Sequence, residues 1–335
     1  MSKAAELAAL IGSQSALSNR NLVINGAMQV AQRGTSVTSV TSGAYRTCDR
    51  IQFSPSSAGT WTVTQSTDAP DGFGNSFKID CTTADASLSA GDFVIVEHKI
   101  ESQNVHLLDY GSSSAKTTTA SFYVKSNKTG TYVLELRQVD TGRLYSKTYT
   151  IDSANTWERK TLTFPGDVSG AGLDNDNGQG LNLNFWCAAG STYSSGTIGT
   201  SWHTTSANRA AGVVNIADST DNEWLITGIQ LEVGEQATPF EHRSFADELA
   251  RCQRYHQRRS GTINTLLTST SGTNRHAPIY FTQSMRAAPT VTGTASSLTF
   301  FSQHIDEQSC DAGNTQPNSG SGDFTISGIV MDAEL

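Results

Sequence analysis

Between residues 21 and 234 the chain repeatedly alternates apolar and polar positions. Phe77, Ile79 and Cys81 take every second place, as do Phe122 and Val124, then Tyr132, Leu134 and Leu136. Leu181, Leu183, Phe185 and Cys187 follow the same rule, and Leu225, Ile229, Leu231 and Val233 keep one phase. A period of two is what a strand shows when one sheet face is buried and the other is wet. Short turn segments such as Ser126–Gly130 and Asp140–Gly142 predict antiparallel neighbours. The stretch NLVINGAMQVAQRGTS, starting at Asn21, reads as a strand, an Asn25-Gly26 turn and a second strand. No helical period of useful length interrupts the series, which excludes parallel βαβ folds. Roughly eight or more antiparallel strands over residues 21–240 predict a mainly β chain built on a two-sheet sandwich of jelly-roll type.

Helical spacing occurs at two places. Ser2 is a plausible N-cap for a helix over residues 3–11, with Glu6 in the first turn and Gly12 at the stop. Ala4, Leu7, Ala8 and Ile11 then share one face. A helix of about nine residues is too short to be stable alone in water, so this stripe needs a partner surface. Packing back on its own domain is one option; the Ser-rich linker GSQSALSN at residues 12–19 favours a partner elsewhere. The second place is EVGEQATPFEHRSFADELARCQRYHQ, residues 232–257, the window richest in ionisable side chains. Ser244 and Asp247 resemble a capping box, and Phe245, Leu249, Cys252 and His256 recur on one face of a helix predicted over 245–258. Glu241, Asp247 and Glu248 sit at its start and Arg251, Arg254, Arg258 and Arg259 near its end, as the helix dipole favours, so these charges need no catalytic explanation.

Beyond Gly261 strand patterns return at Ile279–Phe281, Thr290–Thr292, Leu298–Phe301 and Phe324–Met331. The predicted organisation is an N-terminal helix and linker (1–20), the sandwich (21–243), a connecting helix (244–260) and a small C-terminal β domain (261–335). A unit of that size has a thin core and gains from association with copies of itself.

Composition narrows the function classes. Only 16% of the 335 residues are charged and the formal net charge is −8, which provides no general field for phosphates and argues against nucleic-acid binding. Five cysteines without CxxC spacing, Cys48, Cys81, Cys187, Cys252 and Cys310, read as reduced buried thiols. No apolar run fits a signal peptide or a membrane span, so synthesis in a cytoplasm without membrane insertion is expected. The Asn127-Lys128-Thr129 sequon then carries no meaning.

Candidate chemistry is sparse. Asp174 and Asp176, in the loop DNDNG, alternate as calcium ligands do, but a third Asp and the closing Glu of an EF-hand are missing, and an Asx-turn loop explains them better. Trp186, Tyr193, Trp202 and His203 border the Gly/Ser-rich run 190–201 and are the candidates for glycan contact. Trp186 occupies the polar phase of its strand, opposite Phe185 and Cys187; an oligomer interface would use such an exposed aromatic equally well. There is no GxSxG, no HExxH and no phosphate-cradling loop, and the acidic residues are dispersed. No catalytic residue and no cofactor is assigned, and the chain is read as a non-enzyme.

The segments NLVINGAMQVAQRGTS, DRIQF, LITGIQLEVGEQATPFEHRSFADELARCQRYHQ and the terminal DAEL resemble a widespread group of tailed-bacteriophage virion proteins, the tail fibre and tail spike-like appendages. The likeness runs from residue 21 to about 257, with 230–234 and 252–255 its most specific pieces. It implies a structural component of the virion, a homotrimer, with a jelly-roll domain similar to carbohydrate-binding modules and a task in host-surface attachment. The alternatives it leaves open are a capsid head fibre or decoration protein, and a glycan-binding module or glycan-degrading spike. On this reading the partners are copies of the chain, a host-surface glycan, and other virion proteins held through Ala4, Leu7, Ala8 and Ile11.

Burial of Leu7 and Ile11 against such a partner would contribute roughly 1.5–3 kcal/mol each. Deleting residues 1–12 should therefore leave a folded, soluble oligomer that no longer assembles onto particles. Incorporation of the truncated chain at the normal level would place attachment elsewhere.

Overall fold

In the computed structural model, which describes residues 20–260, 263–269, 274–295, 299–315 and 320–335, the alternating runs become strands of antiparallel sheets. The predicted helix over residues 3–11 lies outside the described residues. The chain divides into two compact units, Met1–Ser244 and Phe245–Leu335.

The first unit is a sandwich of two six-stranded sheets. One has the order β1 (Ser36–Val40), β4 (Thr60–Ser66), β5 (Ser76–Thr83), β12 (Glu223–Val233), β7 (Thr118–Ser126), β10 (Glu158–Phe164). The other runs β2 (Ala44–Tyr45), β3 (Ile51–Ser56), β6 (Phe93–Glu101), β11 (Gln179–Ala189), β8 (Gly130–Gln138), β9 (Leu144–Ile151). The chain changes sheet at most of its turns, giving the jelly-roll connectivity that the alternation predicts. Asp140–Gly142 does join paired neighbours, β8 and β9. Ser126–Gly130 does not: it carries the chain from β7 in the first sheet to β8 in the second. Both flanking strands point apolar side chains inward, so they face each other across the core, and the Tyr132 hydroxyl donates to the Lys128 carbonyl (2.9 Å) to fix the crossing.

Between the sheets lie fully buried Trp61, Phe77, Phe122, Phe185 and Trp224. Phe122 of one sheet meets Phe185 of the other edge-on, with ring centroids 5.0 Å apart. Each such side chain contributes about 1.5–3 kcal/mol by burial. β12 reaches this core in two phases. Trp224 and Ile226 point inward, then Ile229 and Leu231, with a register shift between Thr227 and Gln230 where Gly228 adopts φ +63°. Leu225 is buried but lies outside the main core, so it does not share a face with Ile229 as the plain alternation predicts. A bulge inserts one residue, and every side chain beyond it changes face.

The stretch starting at Asn21 corrects the sequence reading. No strand forms between residues 21 and 35. Asn25 sits in the left-handed region (φ 60°), and its buried carboxamide donates to the carbonyls of Val30 (2.8 Å) and Asp49 (2.9 Å) and accepts from the Val30 amide (3.0 Å). These bonds supply partners that a hairpin ladder would otherwise supply. The segment packs along the β12 bulge, where a Cβ on Gly26 would come within 2.1 Å of the Ile229 carbonyl oxygen.

In the second unit a helix over Phe245–Gln253 is followed by β13 (His256–Arg259), β14 (Ile263–Ser269), β15 (Asn274–Tyr280), β16 (Thr290–Ala295), β17 (Thr299–Ile305), β18 (Ser309–Thr315) and β19 (Gly320–Asp332). β19 pairs with β13, β14 and β16, and β18 lies between β15 and β17. The helix is shorter than its apolar spacing predicts, because His256 leaves it to pair with Asp332 in a ladder to β19. Phe245, expected on the buried face, is 57% exposed, whereas Glu248 and Cys252 are buried. All five cysteines are buried free thiols, and among the described residues no helix is long and apolar enough to cross a membrane.

One buried group ties the fold of the first unit to pH. His98 of β6 is 1% exposed; its Nδ1 faces the Arg50 carbonyl at 3.1 Å and its Nε2 lies 3.4 Å from the Ile24 amide nitrogen. Only a neutral ring protonated on Nδ1 can donate to the first and accept from the second. Burial above all, and then the Arg50 charge, push its pKa down to about 3 against the opposing carbonyl bond. Above the ordinary histidine pKa near 6.5, folded and unfolded chains both hold this ring neutral. As pH falls from there toward about 3 the unfolded chain takes a proton that the folded one refuses, and stability drops. The expected loss is up to ~1.4 kcal/mol per pH unit, levelling off below the folded pKa. Urea denaturation between neutral and acid pH should show a shallower decline for His98→Gln; parallel declines would refute the assignment.

Candidate functional site

The outward face of the second sheet carries an aligned polar row. Strand register places Tyr45, Gln52, Glu97, Asn184, Glu135 and Ser146 side by side, one residue from each of its six strands. On one flank Lys99, Asn182 and Arg137 align, and on the other Ile95, Trp186 and Val133. Period-two alternation sends these residues away from the core, since their neighbours Val96, Leu183, Phe185, Leu134 and Leu136 point into it.

The row is closed at one end and open at the other. Glu135 and Ser146 are fully buried and Asn184 is 2% exposed, whereas Gln52, Glu97, Lys99 and Tyr45 are partly exposed. The cover is the connection between β11 and β12, pinned by Arg209. Its guanidinium makes a bidentate pair with Glu135, Nε to Oε2 at 2.7 Å and Nη2 to Oε1 at 2.8 Å, and Asn184 donates to the same Oε1 at 2.7 Å. Burial works against the Arg209 charge, but the bonds and charge of Glu135 outweigh it and hold its pKa above the ordinary arginine value. The guanidinium also lies over the rings of Trp186 (4.8 Å) and Tyr193 (5.5 Å). At the open end Ser54 donates to Glu97 (2.5 Å), and the Tyr45 ring is flanked by the cations of Arg33, Arg50 and Lys99, 5.5–5.9 Å from its centroid.

The four aromatic and histidine candidates fall into separate groups. Trp186 and Tyr193 meet at 5.3 Å and join Phe93, Ile95, Val133 and Ala210 in a small cluster outside the main core. Trp186 is fully buried rather than exposed, because the connection covers the outward phase of β11. Trp202 lies in the main core against Tyr110 and Tyr145, with Nε1 donating to the Pro165 carbonyl (2.8 Å). His203 pairs through its backbone with Leu144 at the sheet edge, and its Nδ1 accepts from the Thr205 amide (3.1 Å). In the DNDNG loop, Asp176 accepts from the Gly178 amide (2.8 Å), an Asx turn, while the Asp174 amide donates to Asp140 (3.2 Å). Among the described residues no group of three or more His, Cys, Asp or Glu side chains is placed to hold a metal ion.

The charged window at residues 232–243 is a joint within the first unit. Buried Glu232 accepts from the amide and hydroxyl of Thr238 (2.7 Å each) and from Gln230 (2.9 Å). Gln230 accepts from the Glu241 amide (2.8 Å), and Glu241 accepts from the Asn21 amide (2.8 Å). Arg243 donates to the carbonyls of Val23 (3.1 Å) and Asn21 (2.5 Å). These bonds fasten the two ends of the sandwich together and leave the buried carboxylate satisfied.

The strand order and sheet crossings define the first unit as an antiparallel jelly-roll β-sandwich. No protein-family model and no curated protein matches the chain. Solved structures similar to it include the enzymatically active domain of tailspike protein 4 of bacteriophage CBA120, 14% identical over 64% of this chain and 21% of that one, with a TM-score of 0.33. A candidate sugar-binding protein of Bacteroides thetaiotaomicron is 12% identical over 64% of this chain and all of its own, TM-score 0.36. A family 11 carbohydrate-binding module of Clostridium thermocellum, in complex with a mixed-linked tetrasaccharide, is 11% identical over 64% and 97%, TM-score 0.29. The chain thus spans about a fifth of the tailspike chain it matches.

Removing the guanidinium tests whether the cover depends on this pair. Arg209→Ala leaves Glu135 buried and uncompensated, and the expected loss of stability in urea denaturation is about 3–5 kcal/mol. Replacing both partners, with Glu135→Leu and Arg209→Met, should recover most of it. A single-variant loss below about 1 kcal/mol would show that the pair behaves as a surface ion pair.

Proposed function

We propose that the chain is a component of a phage virion appendage whose first unit faces a host-surface glycan with the open half of the polar row. The single observation that carries the recognition role is that row, which presents an amide (Gln52), a carboxylate (Glu97) and an ammonium (Lys99) beside an aromatic ring (Tyr45) on one rigid sheet. Sugars offer hydroxyls that both donate and accept, together with apolar ring faces, and this set of groups answers each. The virion setting rests on the resemblance of residues 21–257 to tail fibre and spike-like proteins. The same resemblance supports a homotrimer attached through its N-terminal segment, on a tail or as a head fibre.

Binding without catalysis is the reading that the carboxylates favour. Glu97 and Glu135, the two carboxylates of the row, stand two strands apart, a Cα separation of about 10 Å. Both oxygens of Glu135 are engaged by Arg209 and Asn184 beneath the covering connection, which turns this carboxylate to a structural use.

Glu97→Ala together with Gln52→Ala should lower binding to host cells or purified host-surface glycan by at least about tenfold, with melting temperature and oligomer mass unchanged. Unchanged binding would move recognition to another surface. Light scattering that returns a single-chain mass at micromolar concentration would overturn the trimer, and electron microscopy of labelled virions decides between tail and head.

A further inference from the structure

The second unit holds a small cleft of about 160 Å³ lined by Gln257, Arg258, Arg259, Tyr280, Thr282 and Met331. The cleft is open to solvent and has room for one ring-sized group. Its construction is rigid. Gln257, 2% exposed, accepts from the Thr282 amide (2.8 Å) and donates to the carbonyls of Gln283 (2.7 Å) and Gln253 (3.0 Å). That buried carboxamide ties the segment after β15 to the end of the helix and fixes one wall. Met331, 3% exposed, gives an apolar lining from β19.

The remaining groups are unspent. Arg258 and Arg259 are exposed, and neither guanidinium has a hydrogen-bond or ion-pair partner among the described residues. Arg259 follows Gln257 by two positions on β13 and so shares its face. Tyr280, at the end of β15, is 72% exposed, more than any other large hydrophobic side chain among the described residues. Two unpaired cations beside an uncovered aromatic ring, in a chain whose net charge is −8, make a local exception to its general repulsion of anions.

We propose that this cleft binds a carboxylated sugar unit, its carboxylate taken by Arg259 with Arg258 adding charge, and its apolar ring face lying on Tyr280. A guanidinium matches a carboxylate through two parallel hydrogen bonds, and an aromatic face suits the C–H side of a pyranose. A bare phosphate satisfies the arginines and leaves Tyr280 idle, so the tyrosine separates a sugar site from a simple anion site. The site is independent of the polar row on the first unit and of any virion setting.

The test titrates the full chain, by calorimetry or ligand-observed magnetic resonance, with glucuronate, galacturonate, N-acetylneuraminate, glucose and inorganic phosphate. At least one acidic sugar should bind with a Kd on the order of 1 mM, about tenfold tighter than glucose. Arg259→Gln should weaken it at least about fivefold, and Tyr280→Ala should weaken the sugar while leaving phosphate unchanged. Melting curves verify folding, and Arg259→Lys substitutes for the glutamine variant if that one fails to fold. The Glu97→Ala, Gln52→Ala variant should bind the acidic sugar normally, which keeps this outcome distinct from the first-unit surface. Absence of binding by all three acidic sugars, or Tyr280→Ala binding as tightly as the parent, overturns the proposal.

Discussion

Cover of the outer face of the second sheet, at its closed end, rests on the pairing of Glu135 with Arg209. Its strand neighbours Leu134 and Leu136 enter the core, so its carboxylate projects outward and is nonetheless fully buried beneath the β11–β12 connection. An unpaired carboxylate there would cost several kcal/mol. The bidentate pair with Arg209, completed by Asn184, removes that cost and in the same act anchors the covering chain. Once Arg209 is fixed, its guanidinium lies on Trp186 and Tyr193, and the small apolar cluster on the outer face can close around them. The boundary of that cover decides which part of the polar row stays in contact with solvent.

A comparable logic operates at the sandwich ends. The bulge at Gly228 turns β12 by one residue, and the segment from Asn21 fills the irregular edge that results, using the carboxamides of Asn21 and Asn25 as backbone substitutes. Gln230, Glu232, Thr238, Glu241 and Arg243 complete the closure. Fold closure accounts for Glu232, Glu241 and Arg243 in this window. Recognition, on the proposed reading, falls instead to sites where polar and aromatic side chains stay in contact with solvent: the open half of the row in the first unit and the Arg259–Tyr280 cleft in the second.

Period-two spacing was sufficient to find the strands carrying Phe77, Phe122, Leu134, Phe185 and Leu231, because inward burial is written locally in every second residue. The same spacing made Glu97, Asn184 and Glu135 look like ordinary wet positions. Glu135 between Leu134 and Leu136, and Asn184 between Leu183 and Phe185, carry the same local pattern as any solvated position of an alternating strand. Trp186 was misplaced at the surface for the same reason, since alternation reports which way a side chain points and not what covers it. His256 shows the limit on the helical side: local spacing favoured a longer helix, and a ladder to a strand more than seventy residues later won.

The sequence alone thus determined the class of fold, since apolar period, turn residues and the absence of long helical repeats are local properties that leave an antiparallel sandwich as the way to bury every inward face. Tertiary structure alone decided which strands are neighbours, and with that the row from Tyr45 to Ser146, whose six residues come from strands scattered over a hundred positions. It also decided that Arg209 meets Glu135, seventy-four residues away in the chain. Register between distant strands is set by the summed packing of the whole core, and no window of sequence contains that sum.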